Sequence, residues 1–214
     1  MHLPSIGLLL AFAVSSPAAD KINVFIGTYT GGPSRGIYSY ELNLQDGSLR
    51  QVGLAAEIAS PSFLAIHPNK RFLYAVNEVE NFGGQKAGAV TGFTIDGSGT
   101  KLEKINDATS GGPGPCHLSV DKSGQFVLVA NYSGGSVEVL PINNQGELGL
   151  PTSFIQHTGS SVNKQRQGEP HAHSINLDPE NRFAVVADLG LDKVFVYRFD
   201  SRNGNLAGTP TPVG

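Results

Sequence analysis

PSFLAIHPNKRFLYAVN, residues 61–77, strings together a short apolar segment, a turn at Pro68-Asn69-Lys70 and a nearly continuous apolar run that opens at Phe72. The same outline returns in PCHLSVDKSGQFVLVAN (115–131) and AHSINLDPENRFAVVAD (172–188), after offsets of about 54 and 57 positions. INVFIGTYTGG, from Ile22, matches only the later half of the unit. Self-similarity at such a period marks a repeat architecture and has to be read before any single motif.

Working outward from each copy, the continuous run suits a strand covered on both faces. A further apolar stretch follows it in every unit: Gly36 to Leu42, Ala89 to Ile95, Ser136 to Ile142 and Lys193 to Phe199. Then comes a hairpin turn, Asp46-Gly47, Asp96-Gly97, Gln145-Gly146 or Asn203-Gly204, in which glycine supplies the positive φ of a tight reversal. A fourth strand closes the unit, at roughly Leu49 to Ala55, Leu102 to Asn106 and Thr152 to His157. Four antiparallel strands per repeat of about 50 residues is the blade of a β-propeller. The expected fold is therefore all-β, with about four blades; an antiparallel sandwich is the alternative.

Composition agrees with a turn-rich globular chain: 214 residues, 39% hydrophobic, 15% charged, with 27 Gly and 13 Pro. A net charge of -3 provides no basic field for nucleic acid. The single cysteine, Cys116, excludes an internal disulfide framework and any zinc site built from several thiolates. Residues 1–18 have an apolar stretch from Ile6 to Val14 followed by Ser16-Pro17-Ala18, the pattern of a secretory leader cleaved after Ala18. That stretch is too short for a stable membrane anchor, which takes roughly 20 residues. The expected location is the periplasm or the extracellular space.

With the strands lettered a to d outward from the axis, the start of a and the end of b share one rim. His117 and His173 open two a strands, and Asn77, Glu78, Asn131, Tyr132 and Asp188 end b strands, so all are expected on that rim. The long connection Thr158 to Pro170 brings Lys164, Arg166 and Glu169 toward it, and long loops in compact domains are often functional. His67, Asp121 and Asp178 fall on the opposite rim as turn formers, and His157 is expected at the periphery. In extended chain, residues two apart point the same way, so His171 and His173 can face the rim together. Paired imidazoles can serve as general base and carbonyl polariser. A metal reading needs further ligands from Glu169, Glu78 or Asp188. Cys116 and His117, adjacent on a strand, point apart and form no dyad; Cys116 reads as a small buried apolar residue.

IGTYTGG (26–32), SPSFLAIHPNKRFLYAVNE (60–78), GPCHLSVDKSGQFVLVANYSGGSV (114–137) and EPHAHSINLDPENRFAVVADLGLDKVFVY (169–197) resemble the lactonase family of seven-bladed propellers, best known for 6-phosphogluconolactonase activity. The resemblance implies hydrolysis of a small-molecule sugar 1,5-lactone by activated water, with no cofactor and no obligatory metal. Motif matching implies His171, His173, Glu169 and Arg166 as the catalytic set. His117, Asn131, Tyr132, Glu78, Asp188 and Lys164 are the expected substrate-binding residues. The roughly 196 residues after Ala18 hold about four units against the family's seven, so the chain is expected to be C-terminally truncated. Two rival functions remain open: a non-catalytic propeller that binds a sugar or peptide, and a metal-dependent propeller lactonase.

Overall fold

The computed structural model describes residues 20–213, with side chains described up to Ala207; the expected leader, residues 1–18, lies outside the described residues. Among the described residues, fifteen strands form four antiparallel sheets, one of three strands and three of four. Blade 1 is β1 (Lys21–Ile26), β2 (Gly36–Asn43) and β3 (Leu49–Glu57). Blade 2 is β4 (Leu64–Ile66), β5 (Phe72–Asn77), β6 (Ala89–Ile95) and β7 (Leu102–Thr109). Blade 3 is β8 (Pro115–Val120), β9 (Phe126–Asn131), β10 (Ser136–Pro141) and β11 (Ser153–Gln156). Blade 4 is β12 (Ala172–Leu177), β13 (Phe183–Asp188), β14 (Lys193–Asp200) and β15 (Asn205–Val213). Each sheet runs in chain order, the up-and-down topology expected of a blade. Among the described residues no helix is long and apolar enough to cross a membrane.

The apolar runs become strands because they are buried from two sides. In β5, Leu73 and Ala75 enter the core shared with blade 1, while Phe72, Tyr74 and Val76 enter the core shared with blade 3. Alternate side chains thus serve opposite interfaces, as the period of a strand requires. β9 is likewise buried at every position. β13 departs from this: Ala184 and Val186 pack against blade 3, but Val185 on the other face is 37% exposed.

The hairpin turns also fasten the blades together. Gly146, with φ of 84°, lies against Phe72 of the preceding blade, where an added Cβ would stand 2.7 Å from the ring. Gly204, with φ of 73°, repeats that contact on Phe126, at 2.4 Å. In blade 2 the positive φ falls at Gly99 and not at Gly97, because Asp96 Oδ1 accepts from the amides of Thr100 and Lys101 and widens the turn. On the far rim Asp121 accepts from the amides of Gln125 and Phe126, and His67 Nε2 meets Gly124 O at 2.8 Å, so these polar residues are turn formers as expected.

Candidate functional site

Antiparallel pairing sets the beginning of each a strand beside the end of its b strand: Leu64 pairs with Ala75, Pro115 with Asn131 and Ala172 with Asp188. The polar residues of three blades and the long loop therefore meet at one rim. Two of the a strands begin with a bulge. The register of β8 shifts between Pro115 and His117, and that of β12 between Ala172 and Ser174, leaving Cys116 and His173 as the extra residues. A bulge breaks the two-residue alternation and re-aims the side chain it inserts.

Those two residues, with Ser62 just before β4, line a cavity of about 270 Å³. Tyr29, Glu78, Tyr132 and Arg166 complete its wall. The repeat explains the set. Ser62, Cys116 and His173 are successive copies of one position, following Pro61, Pro115 and Ala172. Tyr29, Glu78 and Tyr132 are copies of another, as the match of IGTYTGG with VANYSGG shows. Tyr29 and Ser62 were not among the residues expected from sequence, although aligning the repeats position by position finds both. A larger hollow of about 440 Å³ lies against blade 4 and shares His173, but its wall is mostly apolar.

Inside the cavity, Glu78 Oε2 accepts from the Tyr29 hydroxyl at 2.9 Å and from Ser62 Oγ. Burial, together with the Glu78 hydrogen bond and charge, raises the Tyr29 pKa. Arg166 Nη2 donates to the Tyr132 hydroxyl at 3.2 Å, which leaves most of the guanidinium donors for a ligand. His173 is exposed and stands edge-on to Tyr132, with centroids 5.7 Å apart. Cys116 is half-buried and forms part of the wall, not the enclosed apolar residue expected; its Sγ lies 3.4 Å from His173 O. Burial and then the Glu78 charge push its thiol up to about 12, so it is no thiolate nucleophile.

The other histidines diverge. His171 does not line the cavity: its ring stacks behind Tyr132 at 4.5 Å, and Nδ1 meets Tyr132 O at 3.0 Å. The bulge at His173 is why the two imidazoles do not share a direction. His117 packs on Phe63 at 4.2 Å, and its Nδ1 accepts from Ile175 N at 3.3 Å. Burial, with a smaller effect of His173, lowers the His117 pKa to about 4, so this imidazole is neutral near pH 7 and presents Nε2–H as a donor.

Two residues expected to bind substrate turn inward. Asn131 is fully buried, and its Nδ2 holds Ser110 O at 2.7 Å and Ser136 Oγ at 3.1 Å. Asp188 is 2% exposed and takes His157 Nδ1 at 2.6 Å. His157 is correspondingly not peripheral but buried, with Nε2 2.9 Å from the Tyr197 hydroxyl. The strand-terminal residue points into the blade, and the successors Glu78 and Tyr132 reach the cavity, which is the alternation of a strand applied one residue later than expected. Lys164 and Glu169 are exposed, outside the cavity wall, and make no side-chain hydrogen bond among the described residues.

Residues 23–212 match the family model described as a lactonase with a seven-bladed β-propeller. A 6-phosphogluconolactonase of Bacillus subtilis (strain 168) is 39% identical over 174 residues, which are 81% of this chain and 48% of the relative. A 6-phosphogluconolactonase of Formosa agariphila is 32% identical over 186 residues, 86% of this chain and 52% of that protein. The solved periplasmic gluconolactonase of Pseudomonas aeruginosa superposes with a TM-score of 0.81 at 32% identity, covering 91% of this chain and 56% of the other. The chain thus spans about half the length of the curated relatives it matches.

Proposed function

The chain belongs to the lactonase family of seven-bladed β-propellers, and from that premise we propose that its rim cavity carries the hydrolysis of a sugar 1,5-lactone. One observation carries this reading: Arg166 and His173, contributed by different segments, face one polar cavity with Glu78 and two tyrosines. His173 takes a proton from water as the water oxygen attacks the lactone carbonyl. Negative charge then gathers on the former carbonyl oxygen, where the Arg166 guanidinium meets it. When the tetrahedral intermediate collapses, the bond from carbonyl carbon to ring oxygen breaks, and the proton held by His173 passes to that oxygen. The product is the open-chain aldonic acid. Glu78, held by Tyr29 and Ser62, accepts hydrogen bonds from sugar hydroxyls. His171, stacked behind Tyr132, supports the cavity from outside its wall, so its role is conformational, and Glu169, exposed outside that wall, is assigned none. Lys164, exposed outside the wall, can meet a phosphate or carboxylate on the substrate. Export by the 1–18 leader belongs to the same proposal, and the N-terminal mass of protein secreted by an expressing cell checks it.

The test is release of acid from glucono-1,5-lactone and from its 6-phosphate by the 214-residue chain, with and without chelator. Turnover above spontaneous hydrolysis is expected, unchanged by chelator, and His173→Ala should lower it by at least about tenfold. Wild-type rates in that variant would remove His173 from the mechanism, and loss of turnover on chelation would move the chain to the metal-dependent class. Saturable lactone binding without turnover would make the cavity a binding site.

A further inference from the structure

We infer that Asp188 is a positioning group for the histidine-bearing start of β12, acting on turnover through the placement of His173 and not by touching the lactone. Its consequence for catalysis rests on the lactonase reading above, while its geometry does not. Three segments meet on this one carboxylate. Oδ2 takes His157 Nδ1 at 2.6 Å from the connection that leaves β11. Oδ1 accepts the amide of His171 at 2.8 Å and the amide of Leu191 at 3.0 Å. The chain is clamped further by Leu189 N donating to His171 O at 3.0 Å. His173 is the bulged residue two positions beyond this clamp, so the Asp188 bonds fix the strand from which it projects.

The repeat shows what is special here. Asn77 and Asn131 hold the same position in blades 2 and 3, and each uses its amide to donate to a carbonyl of the incoming connection, Ala59 O at 3.3 Å and Ser110 O at 2.7 Å. A carboxylate cannot donate, so in blade 4 the direction of the bond is reversed and the connection supplies a donor, His157. With both its oxygens accepting, Asp188 reaches backbone that neither asparagine holds. Blade 4, whose carboxylate replaces the asparagine of blades 2 and 3, is the blade that carries His173, and departures from a local rule gather at functional sites. Behind Asp188, His157 Nε2 meets the Tyr197 hydroxyl at 2.9 Å, and all three side chains are buried. Burial alone would raise the Asp188 pKa; the bonds from His157, His171 and Leu191 outweigh it and keep the group ionised.

Asp188→Asn retains an oxygen for the two backbone amides, whereas Asp188→Ala leaves them unpaired. With glucono-1,5-lactone, Asp188→Ala should lose about thirty- to a hundredfold in kcat per folded molecule with KM changed less than about threefold, the signature of a displaced group. Asp188→Asn should recover most of that loss. A purely structural role predicts unchanged kcat in the folded fraction. A direct acid or base role predicts that asparagine is no better than alanine. Either result overturns the inference. Should Asp188→Ala fail to fold, His157→Gln removes one arm of the clamp and should show the same kcat loss on a smaller scale; unchanged kcat there counts against the inference. Amide exchange read by NMR needs no turnover, so it separates this inference from the lactonase reading. His171 and Leu191 should exchange at least about tenfold faster in Asp188→Ala than in the parent, while Asn131 keeps its protection. Equal protection at His171 and Leu191 overturns the clamp even if the parent hydrolyses lactone.

Discussion

Between about pH 4 and pH 8 the stability difference between Glu138→Gln and the parent should move by about 3 kcal/mol in favour of the glutamine variant. Glu138 is 2% exposed on β10, and its Oε1 has no hydrogen-bond partner among the described residues. Asn131 Oδ1, on the neighbouring strand, is also without one. In blade 2 the corresponding residues are Asn77 and Thr91, and there the Thr91 hydroxyl donates to Asn77 Oδ1 at 2.8 Å. A protonated Glu138 has such a donor to offer; an ionised one has none. Burial raises its pKa from 4.5 to about 7. Because the folded value exceeds the unfolded one, the unfolded chain releases this proton first, and stability is lost as pH rises from the unfolded value through the folded one. The parent alone would hide much of this. His117, lowered from 6.5 to about 4, contributes in the opposite sense, since the unfolded chain binds its proton first as pH falls. Urea midpoints of parent and variant, compared at several pH values, isolate the Glu138 contribution. A difference that stays constant across the range would show that this carboxyl titrates normally.

Gly190→Ala should destabilise the chain by about 2–4 kcal/mol and abolish most of the lactone turnover proposed for the cavity, although no cavity side chain is altered. A Cβ at position 190 would lie 1.9 Å from Glu169 O and 2.8 Å from His171 N. Both neighbours are backbone, so no rotamer change relieves the overlap; either the connection before β12 or the turn after β13 must move. The same connection carries Glu169 and His171 and fixes the approach to His173. Urea denaturation gives the stability loss and the lactone assay gives the functional one. A variant with parental midpoint and rate would mean that this crossing of chains is far looser than it stands.

Much of the fold was legible because it depends on local pattern. The repeat of 61–77, 115–131 and 172–188, the continuous apolar runs and three of the four glycine turns are written in neighbouring residues, and strand polarity follows from them. The rim was legible for the same reason, and so were His173, Arg166, Glu78 and Tyr132 as residues that reach it. Tyr29 and Ser62 were equally readable from the repeat alignment. The turn at Asp96 was not, since two backbone amides choose Asp96 Oδ1 only once the turn is formed.

Composition, repeat period and order of polar residues were therefore enough to decide the architecture and the rim of the blades on which these polar side chains gather. Tertiary structure alone decided which side chains enter the cavity. The bulges at Cys116 and His173 exist only in the pairing of two strands, and they separate His171 from His173 despite their spacing. The inward turn of Asn131 and Asp188 likewise depends on what each meets across the blade: a carbonyl in one case, an imidazole and two amides in the other. Side-chain direction at a strand end is set by partners distant in sequence, and no local period encodes them.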